Sequence, residues 1–296
     1  VLIKKMSNKN RYLSDITKKL EKKFYAAAEE TELREKRIYD LILYLAGREV
    51  RSIQNTAEHL SELDILTSFA KQSDFYNWCE PEFTSDCKLE IIGARHPVIE
   101  NKKLGSFIPN DITLNSKNKI FIITGANMGG KSTYMRQIAI ITLLAHIGSH
   151  VPADCVIMGE FDKILTRIGA SDDLANSCST FMLEMKEISY ILEKATDKSL
   201  VLIDEIGRGT GYHEGQALAA SILDEFTRKN SYVLFSTHFS ELPSVFSSQS
   251  QIKNIYPKVF YLEKKLIFLY KFEKGSAKNN FAIEVAEMAG LPDNII

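Results

Sequence analysis

Apolar and polar residues follow two different periods along the chain, and the change of period divides it into two parts. Up to about residue 77, apolar residues such as Leu33, Leu41 and Leu45 recur at the spacing of an α-helix. This part contains no proline and one glycine, Gly47. The pattern predicts an all-α segment over residues 1–77, with two long helices broken near Gly47.

From residue 78 onward, short apolar runs alternate with helical patterns and turn residues. The runs Ile120–Ile123 and Leu200–Ile203 and the start of Tyr232–Thr237 predict buried parallel strands, because a strand covered on both faces needs apolar residues throughout. Further strands are expected over Leu89–Ile92 and Phe161–Ile168, and a hairpin over Phe260–Phe272 that turns at Glu263–Lys265. Three helices are expected: Phe181–Ala195, one that ends at Arg228, and Phe281–Ala289. The alternation predicts an α/β domain over residues 78–296.

The first of these strands leads into a glycine-rich turn. The pattern G-x-x-x-x-G-K-[ST] is filled by Gly125, Gly130, Lys131 and Ser132. A strand, a glycine-rich turn and a helix start, in this order, are the context that a phosphate-binding P-loop requires. Glycines let backbone N–H groups converge on the phosphates, and the helix N-terminus adds further donors. We expect Lys131 to reach the β- and γ-phosphates and the Ser132 hydroxyl to coordinate Mg²⁺.

The other two strands end in side chains suited to the same chemistry. Asp204 and Glu205 follow Leu200–Ile203, at the carboxyl edge of the sheet, where α/β proteins bind ligands. Asp204 suits Mg²⁺ binding, and Glu205 suits orienting or deprotonating the water that attacks the γ-phosphate. His238 follows the third strand and suits a γ-phosphate sensor. The plainer alternatives are two carboxylates that cap the next turn and a histidine with a structural role.

Three further features each have a structural and a functional interpretation. Phe107 lies in the loop Gly105–Asp111, where it either stacks on a purine or anchors the loop. Ser179 and Thr180 precede a helix, and helix capping alone explains both hydroxyls. The basic run up to residue 23 suits either DNA phosphates or the solvated face of a helix.

Composition narrows the classes of protein without choosing one. The chain has 296 residues, 45% of them hydrophobic and 25% charged, which is ordinary for a globular protein. The net charge is −1, so any nucleic-acid contact is expected to be local. The 4 cysteines show no C-x-x-C spacing, which argues against a zinc site or a disulfide framework and favours a reducing cytoplasm. We expect no membrane span or signal peptide, and a chain that begins with Val1 is expected to be a fragment.

The P-loop, the Asp–Glu pair and the terminal histidine together resemble an ABC-type ATPase, in which a second subunit completes each site. The family's usual L-S-G-G-Q is missing, and Ser179–Met185 (S-T-F-M-L-E-M) takes its place. These motifs closely resemble the MutS family of DNA mismatch-recognition ATPases, above all its bacterial mismatch-repair members. The segments that carry the resemblance, which runs from about residue 11 to the end, are Arg95–Pro97, Thr124–Gln137, Val151–Ala153, Gly169–Leu174 and Asp204–Thr210.

The resemblance implies a role for each matching residue. The triphosphate would be bound by Gly125, Asn127, Met128, Gly129, Gly130, Lys131, Ser132 and Thr133. Phe107 would stack on adenine, near Tyr256, and Ser132 and Asp204 would hold Mg²⁺. Catalysis would be shared by Lys131, Glu205, His238 and the Ser179 of a partner subunit, which would reach the γ-phosphate in trans.

Some positions depart from the family pattern. Ala126 replaces the usual proline, Tyr256 replaces a frequent histidine, and Cys178 replaces a basic or small residue. Gly211–Glu214 (G-Y-H-E) differs from the usual polar run Ser-Thr-Tyr-Asp. These departures bear on communication across a dimer more than on nucleotide binding. The N-terminal mismatch-reading module and the C-terminal helix-turn-helix of the family are outside this sequence, so we expect it not to recognise mismatches alone.

The expected function is therefore an Mg²⁺-dependent ATPase that controls a dimeric DNA clamp in mismatch repair. The expected partners are mismatched double-stranded DNA, a second MutS-type subunit in a homodimer or heterodimer, and a MutL-type protein, with no membrane. The compartment would be the bacterial cytoplasm, or the nucleus for a eukaryotic paralogue. Three alternatives remain: a MutS paralogue in recombination or anti-recombination, a weakly active ATP-gated scaffold, and a monomeric P-loop GTPase or kinase, which His238 and the Ser–Thr loop disfavour.

Overall fold

The computed structural model divides the chain into two units, residues 1–67 and 68–296. The structure describes residues 2–5, 10–12, 14–102, 107–169, 180–262, 265–277, 281–292 and 295. The division between the units lies within a long helix, and the boundary drawn from the sequence pattern, at residue 77, follows the end of that helix. Each unit is described separately below.

The first unit begins with a short hairpin, which corrects the prediction of an all-α segment. Strands β1 (Leu2–Lys5) and β2 (Asn10–Tyr12) pair in an antiparallel manner, and helix α1 (Asp15–Tyr76) follows them. Helical periodicity is averaged over a long segment, so it does not reveal two strands as short as these. The strands satisfy their backbone N–H and C=O groups by pairing with each other.

Helix α1 is one element of 62 residues rather than two. At its start, the N–H of Thr17 donates to the Ser14 hydroxyl at 3.1 Å, and the N–H of Ser14 donates to the Thr17 hydroxyl at 2.8 Å. At its end, Asn77 adopts a φ of +50° and the N–H of Trp78 donates to the carbonyl of Ser73. The prediction of a break at Gly47 was wrong because one exposed glycine costs a helix only about 1 kcal/mol.

The second unit contains two sheets. Its strands are β3 (Glu82–Phe83), β4 (Leu89–Ala94), β5 (Asn110–Leu114), β6 (Ile120–Ile123), β7 (Cys155–Met158), β8 (Lys163–Arg167), β9 (Ser199–Asp204), β10 (Tyr232–Ser236), β11 (Ile252–Leu262) and β12 (Lys265–Lys274). Its helices are α2 (Pro97–Lys102), α3 (Lys131–His146), α4 (Thr180–Lys194), α5 (Tyr212–Lys229), α6 (Leu242–Val245) and α7 (Ala282–Met288).

The larger sheet has the strand order β12-β11-β6-β10-β9-β8, and the smaller has the order β3-β7-β4-β5. In the larger sheet, β11, β6, β10, β9 and β8 run parallel to one another, and β12 is antiparallel to β11. This sheet confirms the α/β prediction. The hairpin of β11 and β12 begins earlier than predicted, because the start of β11 also pairs with β6.

Both faces of the parallel strands are buried, which explains their continuous apolar sequences. In β9, Leu200 and Leu202 pack into one core cluster with α3 and the smaller sheet. The alternate residues Val201 and Ile203 pack into a second cluster with α4 and α5. Side chains alternate between the faces of a strand, so a sheet covered by helices on both sides needs apolar residues at successive positions.

Among the described residues, no helix combines the length and the apolar character that crossing a membrane requires.

Two exposed glycines provide a test of the helix boundaries. A methyl group added to Gly47 or to Gly148 would meet no atom within 4 Å, but Gly148 has a φ of +82° and Gly47 is helical. We expect Gly47→Ala to raise the free energy of unfolding by about 0.5–1 kcal/mol and Gly148→Ala to lower it by about 1–2 kcal/mol. Urea unfolding followed by circular dichroism would measure both. Changes of the same sign would contradict the single continuous helix.

Candidate functional site

The carboxyl ends of β6, β10 and β9 lie side by side because these strands are parallel neighbours. Ser236 is paired with Ile123 on one side and with Asp204 on the other. The pairing continues past the strands: the residue before His238 donates its N–H to the carbonyl of Ile123, and Glu205 donates its N–H to the carbonyl of Ser236, each at 3.0 Å. The sheet therefore brings three predicted site segments to one edge.

Between β6 and α3 the backbone makes a tight turn that includes a 3₁₀ segment, Asn127–Gly129. The N–H of Gly129 donates to the carbonyl of Ala126 at 3.0 Å. A Cβ atom on Gly129 would lie 2.6 Å from Cγ of Pro257, so only glycine fits this approach without displacing β11. Ala126 has φ −56° and ψ 146°, which proline also adopts, so the turn formed by this chain is compatible with the proline usual in the family.

Lys131 is the first residue of α3, and its side chain is only 2% exposed. Its Nζ donates to the carbonyl of Gly125 at 2.5 Å and lies 3.0 Å from Oε1 of Glu205. Burial lowers the pKa of Lys131 to about 8; the Asp204 carboxylate opposes this shift and the Arg208 guanidinium adds to it. A triphosphate at this position would favour the charged form of the lysine.

Glu205 is held in an unusual backbone conformation at the end of β9. Its φ is +51°, a region that costs a residue with a side chain on the order of 1–3 kcal/mol. The carboxylate forms ion pairs with Lys131 and with Arg208, and the side chain is 14% exposed. Each carboxylate oxygen of Glu205 thus has a cation beside it, Lys131 at Oε1 and Arg208 at Oε2.

Ser132 and Asp204 form a second pair within the same site. The Ser132 hydroxyl donates to Oδ2 of Asp204 at 2.5 Å. The other carboxylate oxygen, Oδ1 of Asp204, is buried and has no hydrogen-bond partner among the described residues. A buried carboxylate oxygen without a partner is costly, and a bound cation would remove that cost.

His238 lies at the end of β10, beside the two carboxylates. Burial lowers its pKa, and the positive charges of Arg208 and Lys131 lower it further, so the neutral imidazole is favoured. Its Nδ1 is buried and has no hydrogen-bond partner in the described part of the chain. The ring packs against Phe239 at a centroid distance of 4.1 Å. This environment suits contact with a phosphate oxygen through the other ring nitrogen.

A cavity of about 350 Å³ opens at this edge of the sheet. Predicted residues in its lining are Lys131, Ser132, Asp204 and Glu205, and the other charged residues are Arg136, Arg167, Glu184 and Arg208. Side chains of both signs therefore line it, as a site for a metal-bound triphosphate requires.

A smaller cavity of about 160 Å³ lies on the other side of the glycine-rich turn. It is lined by Phe107, Ile108, Gly129, Gly130, Thr133, Tyr134 and Tyr270, among others, and is mostly apolar. Sites that enclose a whole drug-sized ligand are larger, roughly 300–1,000 Å³, so this volume suits one part of a ligand, such as a base. Tyr256 is not one of the described residues that line it; its hydroxyl lies 3.5 Å from Oε2 of Glu273.

The remaining predicted residues have mixed outcomes. Thr133 lines the smaller cavity, whereas the side chain of Met128 is 56% exposed. Asn127 belongs to the 3₁₀ segment of the turn. Ser179 lies outside the described residues, and helix α4 begins at the next residue.

Sequence reasoning did not identify a network of charges that includes Arg167 and Glu184 in the lining of the cavity. Arg167 lies 2.8 Å from Oε2 of Glu187 and 3.9 Å from Oε1 of Glu184. Oε2 of Glu184 accepts the N–H of Gly207, in the loop after Glu205, at 3.4 Å. Burial raises the pKa of Glu184, although this bond and Arg167 oppose the shift. No local motif signals these contacts, because they join β8, α4 and the loop after β9.

The comparison with protein families agrees with this geometry. Residues 121–296 match the family model described as MutS domain V. The match covers more than half of the chain and includes the glycine-rich turn, Asp204, Glu205 and His238. MutS domain V is the ATP-binding and ATP-hydrolysing domain of MutS-type mismatch-repair proteins. The chain therefore belongs to the MutS family and contains its ATPase domain.

Proposed function

We propose that this chain hydrolyses Mg²⁺-ATP at the carboxyl edge of its parallel sheet, and that its nucleotide state controls a dimeric DNA clamp in mismatch repair. The observation that carries the proposal is the meeting of Lys131, Asp204 and Glu205 in the lining of one cavity. Lys131 follows the turn after β6, the two carboxylates stand at the end of β9, and β10 pairs with both strands. His238 follows β10 and is not one of the described residues that line the cavity. Each residue type matches a need of phosphoryl transfer, in which positioning and charge stabilisation supply most of the catalysis.

The triphosphate would lie along the glycine-rich turn, with its phosphates toward Lys131. Gly125 and Gly129 let this turn pass close to Pro257, where a Cβ atom on either would lie within 3.0 Å of the proline ring. The N-terminus of α3, with its 16 residues, adds a positive partial charge. The Lys131 ammonium, now paired with a carbonyl and a carboxylate, would exchange these partners for phosphate oxygens.

Ser132 and Asp204 fit a magnesium ion. Mg²⁺ in nucleotide sites usually takes one or two carboxylates, and the unpartnered Oδ1 of Asp204 and the adjacent hydroxyl are oxygen ligands of the preferred kind. When bound, the ion neutralises the charge of the phosphates. The Ser132 hydroxyl lies 2.5 Å from Oδ2 of Asp204, so the two side chains are close enough together to be ligands of one ion.

Glu205 would orient the attacking water and receive its proton. Phosphate oxygens compete for Lys131, so ATP binding would release one of the two cations that pair with Glu205. Oε1 of Glu205 would then accept a proton from a water in line with the γ-phosphate. The oxygen of that water would form the new bond to the γ-phosphorus while the bond to the bridging oxygen breaks, and ADP would leave with that electron pair. His238 would donate a hydrogen bond to the γ-phosphate from its second ring nitrogen.

The base would occupy the smaller cavity, with Phe107 as its stacking surface. An apolar cavity of about 160 Å³ beside the phosphate turn fits a planar ring system. Tyr256 is not among the described residues that line this cavity, so we assign it no contact with the base.

A second subunit would complete each site by donating Ser179. This proposal extends to a homodimer or heterodimer with a MutS-type chain, to DNA bound through the whole protein, and to a MutL-type partner. The alternative of a recombination paralogue is distinguished by the N-terminal sequence of the full-length protein, where a mismatch-reading module would favour mismatch correction. A nearly inactive ATP-gated scaffold is favoured by the double pairing of Glu205, and turnover measured against protein concentration separates it from a dimeric enzyme.

Glu205→Gln tests the catalytic carboxylate. We expect ATP binding to persist and turnover to fall by about 10²–10⁴-fold, because the amide cannot accept the proton of water. Single-turnover kinetics and equilibrium nucleotide binding would measure the two effects. The same change at an exposed carboxylate of α5, Glu225→Gln, should leave both unchanged. Hydrolysis by the Glu205 variant at the wild-type rate would remove this residue from the mechanism.

Chelation of divalent ions tests the Ser132–Asp204 pair. We expect EDTA to stop hydrolysis, and Asp204→Asn to raise the Mg²⁺ concentration needed for half-maximal turnover, because a neutral amide is a weaker ligand for Mg²⁺. Asp224→Asn, on the exposed side of α5, should leave the Mg²⁺ dependence unchanged. A titration identical for the two variants would contradict the assignment.

A mixing experiment tests the composite site. We expect Glu205→Gln and Ser179→Ala to be inactive separately, because each homodimer lacks one half of every site. A mixture would contain heterodimers in which the Ser179→Ala subunit supplies Glu205 and its partner supplies Ser179. Turnover should therefore recover in part as the two proteins exchange subunits. A mixture as inactive as its components would contradict donation in trans.

A further inference from the structure

The departure at Gly211–Glu214 places an aromatic ring beside His238. Tyr212 is the first residue of α5, at a position where the family run has threonine. The Tyr212 and His238 rings have a centroid distance of 6.4 Å and an interplanar angle of 66°, and those of Tyr212 and Phe239 have a distance of 5.2 Å and an angle of 71°. Both are edge-to-face contacts within the range that stabilises aromatic pairs.

The backbone that carries Tyr212 is fixed against the segment that carries His238. The N–H of Gly215 donates to the carbonyl of Gly211 at 2.8 Å, closing the first turn of α5. A Cβ atom on Gly215 would lie 3.0 Å from Cζ of Phe239, so the helix packs directly on this ring. At the next residue of α5, Nε2 of Gln216 donates to Oε2 of Glu241 at 3.0 Å. These contacts hold the first turn of α5 against the residues that follow β10.

The His238 imidazole has few other restraints. Its Nδ1 is buried and has no hydrogen-bond partner within the described part of the chain, so no bond at that nitrogen sets the ring angle. The ring contacts given by the structure are the tilted packing on Phe239, at 4.1 Å, and the edge-to-face contact with Tyr212. An imidazole that must place one nitrogen on a phosphate oxygen needs its ring plane fixed.

We infer that Tyr212 is a positioning residue for His238, and that its ring sets the angle at which the imidazole meets the γ-phosphate. The inference rests on the proposed ATPase function. Tyr212 orients the imidazole through ring contact, so the aromatic ring of Tyr212 matters for this role and its hydroxyl does not. Threonine, the family's usual residue, offers no ring, so the restraint belongs to this chain.

The experiment compares Tyr212→Phe and Tyr212→Ala in two backgrounds, wild type and His238→Ala. In the wild-type background we expect Tyr212→Ala to lower kcat roughly 3- to 10-fold with little change in KM, since one aromatic contact is lost, and Tyr212→Phe to keep the wild-type kcat. In the His238→Ala background neither change should lower kcat further, because the ring to be oriented is gone. Tyr190→Ala, which removes an exposed ring on α4, is the control and should have no effect.

Two further measurements separate orientation from a loss of folding and from failure of the proposed function. Urea unfolding of each variant reports stability, and ring-proton NMR of His238 should shift in Tyr212→Ala but not in Tyr212→Phe, because a neighbouring ring current is lost. Equal losses of kcat in both backgrounds, or an unmoved His238 resonance, would overturn the role of Tyr212 while wild-type turnover stands. Absence of ATP turnover by the unchanged protein would overturn the proposed function itself, and this inference with it.

Discussion

The site depends on one buried cation, the ammonium group of Lys131. A charge that is 2% exposed is tolerated only where oxygen atoms replace its water shell. The carbonyl of Gly125 and the carboxylate of Glu205 do so, at 2.5 and 3.0 Å. The first belongs to the end of β6 and the second to the end of β9, so the order of strands in the sheet decides whether this lysine is compensated. The oxygen atoms of a triphosphate would also replace the water shell of the Lys131 ammonium group, and they would bring more negative charge.

Three costly features coincide at this edge of the sheet. Glu205 has a positive φ, Oδ1 of Asp204 lacks a partner among the described residues, and so does Nδ1 of His238. Strained backbones and buried polar atoms without partners are uncommon in proteins, and they concentrate where a ligand contacts the site. One of the three, the unpartnered oxygen of Asp204, would be relieved by the Mg²⁺ that accompanies ATP, which is a physical reason for an ATPase to keep it.

The departures from the family pattern fall into two kinds. Ala126 keeps a backbone conformation that proline also adopts, so the phosphate turn is unaffected. Tyr212 instead changes the surroundings of the sensor histidine, because its ring lies against His238 and Phe239. The backbone angles of the glycine-rich turn thus suit either residue at position 126, while the histidine that would report the γ-phosphate has the Tyr212 ring as a neighbour.

The helical part of the chain shows where pattern reasoning stops. Periodicity identified α1 but broke it at Gly47, because a lone glycine is a plausible stop signal and yet costs only about 1 kcal/mol, which 62 residues of helix easily absorb. The true end at Asn77 is set by local capping chemistry. The hairpin of β1 and β2 escaped notice because it is too short to alter the average pattern.

By itself, the sequence determined the parallel strands, the phosphate turn, the carboxylate pair at a strand end and the membership of the MutS family. All of these rest on residues that are contiguous, so local propensity and spacing carry the information. Only the tertiary structure decided that Lys131 and Arg208 share Glu205, that Arg167 and Glu184 line the cavity, and that the Tyr212 ring meets His238 edge to face. Most of these contacts join residues far apart in the chain, and even the near neighbours Arg208 and Glu205 meet only because the end of β9 turns. The strand order that brings them together is set by the packing of the whole domain, which no local pattern records.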